Sequence, residues 1–124
     1  MKLVIIIPAY NEEKTIEQVI KAIPGQIVGV DQIQVVVVDD GSKDQTGELA
    51  EKAGVRVIRH PENRGVGAAF STGLLTALGL GADLIVNIDA DGQFDPKDIP
   101  RLIESVMKRE ADFATATRFS DKDL

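Results

Sequence analysis

Apolar residues cluster in four short runs, at residues 3–8, 33–38, 55–58 and 84–88, and the first, second and fourth show no alternation with polar positions. Runs of this kind belong to strands buried on both faces. Between the first two runs the spacing becomes helical: Ile16, Val19, Ile20 and Ile23 fall at i, i+3, i+4 and i+7. Asn11 stands where a cap would start this helix, Glu12 and Glu13 would complement its positive end, and Pro24 and Gly25 stop it. A second helix is expected after Asp44 with Leu49, Ala50 and Ala53 inward, and a third over residues 67–80. A fourth would carry Leu102, Ile103, Val106 and Met107, with Pro100 marking its start. A last strand at 112–117 completes a β-α-β-α-β-α-β-α-β order.

Such alternation predicts one α/β domain over residues 1–124, with a mostly parallel sheet, right-handed crossovers and helices on both faces. No repeat, linker or low-complexity segment interrupts it. Ligands of such sheets bind beyond the carboxyl ends of the strands. The polar residues collect there, at 8–13, 39–42, 60–64 and 89–93, with Arg118 after the fifth strand.

Composition narrows the chemistry. The 124 residues are 44% hydrophobic but only 4% aromatic, so aliphatic side chains must fill the core. Fourteen basic residues against 20 acidic ones give a net charge of −6, which lacks the basic footprint of a nucleic-acid binder. A phosphate ligand would need a bridging cation. With no cysteine, disulfides, thiolate zinc sites and cysteine nucleophiles are excluded, and carboxylates must carry the chemistry. The first residues read as a strand rather than a signal peptide. The longest uncharged stretch, 65–82, is too diluted by glycine and hydroxyl residues for a membrane span and reads as a buried helix.

The segment from Asn87 to Gln93 holds the densest candidate chemistry. Asp89 and Asp91, at i and i+2 on an extended strand end, share a face and can approach one hard cation, with Gly92 allowing a sharp turn and Gln93 offering a carbonyl oxygen. Oxygen ligands suit Mg²⁺ or Mn²⁺. The alternative is a solvated acidic turn; an EF-hand loop is a poor match, because Pro100 stands where its bidentate glutamate belongs. Asp40, first beyond the second strand, can accept from a base N–H, or Asp39 to Ser42 can be turn chemistry with Gly41 at positive φ and Ser42 or Asp44 capping a helix. Tyr10 can wall a nucleotide pocket, or residues 8–13 can be only a helix entry. Residues 63–69 approach G-x-G-x-x-G, but Phe70 holds the third glycine's place, and no P-loop occurs. His60, the sole histidine, reads as a strand-end surface residue, and Arg118 can pair either a diphosphate or a neighbouring acid.

Taken in order, IIIPAYNEE, VVVVDDGSKDQT, NRGVGAA, NIDADGQFDP and ATATRF resemble the nucleotide-binding half of inverting family 2 glycosyltransferases, particularly the dolichol-phosphate mannosyltransferase-like polyprenyl-phosphate sugar transferases. The resemblance implies a Rossmann-like, glycosyltransferase A type fold and sugar transfer from a UDP- or GDP-sugar donor to polyprenyl phosphate. It implies that Pro8, Ala9, Tyr10 and Glu12 line the nucleoside pocket and that Asp40 contacts the base. Asp89, Ala90 and Arg118 would face the diphosphate, and Asp89, Asp91 and Gln93 a Mg²⁺ or Mn²⁺ ion. It further implies a cytoplasmic location at the face of a membrane that carries the lipid phosphate acceptor. The acceptor-side segment of that family has no counterpart here, so the chain reads as truncated, with any base outside it and self-association expected near the last strand. Two rival classes share the composition: a phospho-receiver signalling domain and a non-catalytic nucleotide-binding module. The first would want a lysine where Arg118 ends the last strand.

Overall fold

β1 (Lys2–Ala9) runs through the middle of the sheet because both of its faces are apolar: Leu3, Ile5 and Ile7 point one way, Val4 and Ile6 the other, and all five are fully buried. A computed structural model describes residues 1–108 and a strand at 113–115. The other strands are β2 (Gln32–Asp39), β3 (Arg56–Arg59), β4 (Leu84–Asn87) and β5 (Phe113–Thr115). All pairings are parallel, in the order β3-β2-β1-β4-β5. The remainder of the strand expected at 112–117 lies outside the described residues, as does Arg118.

Four helices connect them: α1 (Ile16–Ala22), α2 (Thr46–Lys52), α3 (Val66–Gly79) and α4 (Ile99–Lys108). One apolar cluster joins Leu3, Ile5, Ile7 and Val86 to Ile16, Val19 and Ile20 of α1, Ala50 of α2 and Leu102, Ile103 and Val106 of α4. The opposite face packs Val4, Ile6, Val36, Val38 and Ile85 against Ala69 and Ala77 of α3. Helices therefore cover both faces, as the alternation predicts. α4, however, lies in the layer of α1 and α2 although the chain now crosses the sheet the other way. Its connection is thus opposite in hand to the first three, so the expectation of uniformly right-handed crossovers fails there, where burial of α4 beside α1 decides its face.

Two helix starts differ from expectation. α1 begins at Ile16, not after Asn11; Glu12 C=O accepts from Thr15 and Ile16 N–H in the preceding turn, while the Asn11 side chain is engaged in another loop. α1 does stop before Pro24: Ile23 is already extended, as a residue near proline prefers. At α4, Asp95 caps a 3-10 turn over Pro96–Asp98 that leads into Ile99, so Pro100 sits inside the first turn. Met107 is half exposed rather than inward.

α3 approaches β1 through Gly73, where a Cβ would run into the Ile6 side chain. Gly73→Ala is therefore expected to cost about 1–3 kcal/mol of stability as an overpacking change, read as a lower urea midpoint. A midpoint equal to wild type would show that Ile6 can yield. α3 carries no charged residue, and Leu75 and Leu78 face outward. Among the described residues no helix is long and apolar enough to cross a membrane.

Candidate active site

β1 is the switch point of the sheet: the first connection leaves it toward β2, and β4 is later added on its other side. A cleft of about 350 Å³ opens above this point. Its first wall is the end of β1, with Pro8, Ala9, Tyr10 and Glu12; its second is Asp40 with Asn63, Val66 and Ala69; its third is Asp89, Ala90 and Asp91. The expected residues of the described chain thus meet in one place, except Gln93. Gln93 stays off the lining, and its backbone N–H donates to the Asp91 carboxylate at 3.0 Å.

The first wall is held by a ladder between the loops after β1 and β2. Asn11 adopts φ 53°, a left-handed conformation that asparagine tolerates. Its N–H donates to Ser42 Oγ at 2.9 Å, and its side-chain oxygen accepts from Lys43 N–H at 2.9 Å. Glu12 N–H donates to Thr46 Oγ1 at 2.8 Å, Glu13 N–H donates to Asp44, and the Glu13 carboxylate accepts from Gln45 N–H at 3.1 Å. Ser42 therefore serves the β1 loop and not a helix cap, whereas Asp44 does accept from Thr46 N–H at the entry of α2. Gly41 has the expected positive φ of 75°, and a Cβ there would strike the backbone of Glu62 and Asn63.

Asp40 is more than a turn residue. Its side chain is 4% exposed, and its Oδ1 accepts from His60 Nδ1 at 2.7 Å and from Arg64 N–H at 3.0 Å, while Oδ2 accepts from Gly65 N–H at 2.9 Å. Burial disfavours the charge, but these three hydrogen bonds outweigh it and hold the carboxyl below the usual carboxylate range. His60 is accordingly buried rather than a surface residue, with Nε2 bonded to Thr72 Oγ1 at 2.8 Å. The signal for this pair lay in register: Asp39 pairs with Arg59 across parallel strands, so the next residues, Asp40 and His60, end side by side.

On the third wall, Gly92 turns the chain at φ 83° and both aspartates face the cleft. Thr15, which the sequence reading passed over, ties this wall to the first through a 2.6 Å hydrogen bond from Oγ1 to Ala90 C=O. Among the described residues no three His, Cys, Asp or Glu side chains gather as a cation cage. Two carboxylates on an open wall nevertheless fit Mg²⁺ or Mn²⁺, which commonly take one or two carboxylates and fill their remaining positions with water and substrate phosphate.

Sheet order, switch-point cleft and acidic lining define an α/β protein of the doubly wound, Rossmann-like kind with its ligand site at the strand ends. The chain belongs to glycosyl transferase family 2, whose sequence model matches residues 4–123. It is 36% identical to the UDP-N-acetylglucosamine–dolichyl-phosphate N-acetylglucosaminyltransferase of Methanococcus voltae, over 94% of this chain and 52% of that protein. It is 38% identical to the dolichol-phosphate mannosyltransferase of Pyrococcus furiosus, over 96% of this chain and 34% of that protein. Glucosyl-3-phosphoglycerate synthase from Mycobacterium tuberculosis, solved in complex with UDP, superposes with a TM-score of 0.66 at 33% identity, over 86% of this chain and 40% of that one. The chain spans about half the length, or less, of the curated relatives it matches. Family membership removes the phospho-receiver reading.

Proposed function

We propose that this chain is the donor-binding part of an enzyme that transfers a sugar, with inversion, from a nucleoside diphosphate sugar to a polyprenyl phosphate at the cytoplasmic face of a membrane. The observation that carries the reading is the meeting of Asp40, Asp89 and Asp91 with Tyr10 in one switch-point cleft. The names of the two archaeal relatives support the acceptor class, and the UDP complex of the mycobacterial enzyme supports the donor class.

In this reading the base lies against Tyr10 between Pro8, Ala9 and Glu12, and a base N–H donates to Asp40, whose backbone carbonyl and side chain are already held by Asn63, His60 and the Arg64–Gly65 amides. Asp89 and Asp91 would hold the divalent ion, Gln93 would support them, and Ala90 and Arg118 would flank the diphosphate. When bound, the ion neutralises the charge that develops on the departing diphosphate. Thr15 fixes the Ala90 carbonyl, and with it the distance between the base wall and the phosphate wall. A phosphate acceptor is already anionic at neutral pH and needs no carboxylate to remove a proton.

Calorimetric titration with UDP and with GDP, each with and without Mn²⁺, tests the reading. One of the two is expected to bind, and far more weakly without the metal, because an acidic cleft otherwise repels a diphosphate. Binding of neither, or equal binding with and without Mn²⁺, would overturn it.

A further inference from the structure

The Asp40 carboxylate has about four acceptor positions, and among the described residues three are filled: two on Oδ1, by His60 and Arg64, and one on Oδ2, by Gly65. One lone pair on Oδ2 is left for the cleft that Asp40 lines. Which lone pair that is depends on His60. Arg64 and Gly65 offer backbone N–H groups from one loop, one to each oxygen, whereas His60 adds a side-chain donor to Oδ1 from the end of the neighbouring strand β3 and sets the carboxylate asymmetrically.

The chemistry of the partners also fixes the ring. An ionised carboxylate only accepts, so Nδ1 must carry the proton; in the neutral ring Nε2 then accepts from the Thr72 hydroxyl. Thr72 lies on α3, whose first turn supplies Val66 and Ala69 to the same cleft, and its own C=O accepts from Thr76 Oγ1 at 2.8 Å. A hydrogen-bonded line thus runs from the helix through a buried imidazole to the acceptor that faces the ligand.

We infer that His60, oriented by Thr72, is a positioning residue for base selection: it pins Oδ1 so that the remaining Oδ2 lone pair meets a ring N–H of the base. The inference rests on the donor-site reading above. A base with a ring N–H, as in uracil or guanine, satisfies that lone pair. Cytosine and adenine present a ring nitrogen acceptor at the equivalent edge and leave two acceptors opposed, which is how a buried polar group discriminates.

The test compares UDP with CDP and GDP with ADP, in Mn²⁺, for the wild type and the variants His60→Leu, His60→Asn and Thr72→Val. Wild type is expected to prefer UDP over CDP or GDP over ADP. His60→Leu, which keeps an apolar side chain in the buried space, should reduce that preference about three- to tenfold, the worth of one hydrogen bond. His60→Asn restores a donor near the Nδ1 position and should recover most of it, which a packing role alone would not do. Because His60 is the only histidine, its imidazole ¹⁵N signals are unambiguous. They should report the Nδ1–H tautomer in wild type, and a less fixed tautomer in Thr72→Val. An unchanged base preference in His60→Leu, or the Nε2–H tautomer in wild type, would overturn the inference while leaving the donor site intact. Failure of wild type to bind any of the four nucleotides would overturn the donor-site reading and this inference with it.

Discussion

Replacing Asp40 by alanine should lower the unfolding free energy by about 3 kcal/mol, the range seen when one member of a buried, hydrogen-bonded pair is removed. The change strips the partner from His60 Nδ1 and from the N–H groups of Arg64 and Gly65 at once. Asp40→Asn should cost less, about 1–2 kcal/mol, because its amide oxygen can still serve the donors at Oδ1 while its NH₂ group opposes the Gly65 N–H. The loss should depend on pH. The folded carboxyl titrates below its unfolded value of 3.8, so the unfolded chain binds the proton first as acid is added. The stabilisation is therefore complete above the ordinary carboxylate range and disappears as pH falls through the lower, folded value. Urea unfolding at neutral pH and in acid checks this: the gap between wild type and Asp40→Asn should narrow in acid, and a constant gap would contradict the ionised, hydrogen-bonded Asp40.

Asp91→Ala should weaken Mn²⁺-supported binding of the preferred nucleoside diphosphate about 100-fold, or ~2.7 kcal/mol, and removal of the metal from wild type should have a comparable effect. Asp91 is exposed on the cleft wall, and among the described residues it accepts from Gln93 N–H. The fold should therefore lose no more than about 1 kcal/mol. Asp89→Ala should act in the same direction on binding. Chelation and the Asp91 substitution should not add, since both remove the same bridge. Independent, additive losses would mean that Asp91 binds the ligand by some other route.

Much of this architecture was legible because period and location agree. Apolar runs at 3–8, 33–38 and 84–88, interrupted only by Gln34 and Asn87, became central strands within a residue or two, since burial on both faces leaves little room for alternation. Asp89 and Asp91 were legible as neighbours from their two-residue spacing and do line one wall, although β4 ends at Asn87 and Ala90 and Asp91 lie in a turn rather than on an extended strand end. What escaped depended on partners distant in sequence. Asn11 has cap chemistry and sits five residues before the helical spacing starts, but it bonds Lys43 instead. His60 looked like a surface residue because its partners, Asp40 and Thr72, are supplied by another strand and by the following helix. Met107 fits the apolar stripe of α4 by spacing alone, yet that stripe is already filled by Leu102, Ile103 and Val106.

The ladder between the loops after β1 and β2 has a consequence for how such a site can be altered. Each rung joins a backbone group of one loop to a side chain of the other, in both directions: Asn11 to Ser42 and Lys43, Glu12 to Thr46, Glu13 to Asp44 and Gln45. Each loop has internal bonds, such as Thr46 N–H to Asp44, but the amides of Asn11, Glu12, Glu13, Lys43 and Gln45 all donate to side chains of the other loop. Transplanting residues 9–13 alone into another scaffold would leave the Asn11, Glu12 and Glu13 amides without their acceptors and Asn11 in a left-handed conformation with nothing to hold it. The two segments form one transferable unit, and a graft of this pocket wall must carry 9–13 and 42–46 together.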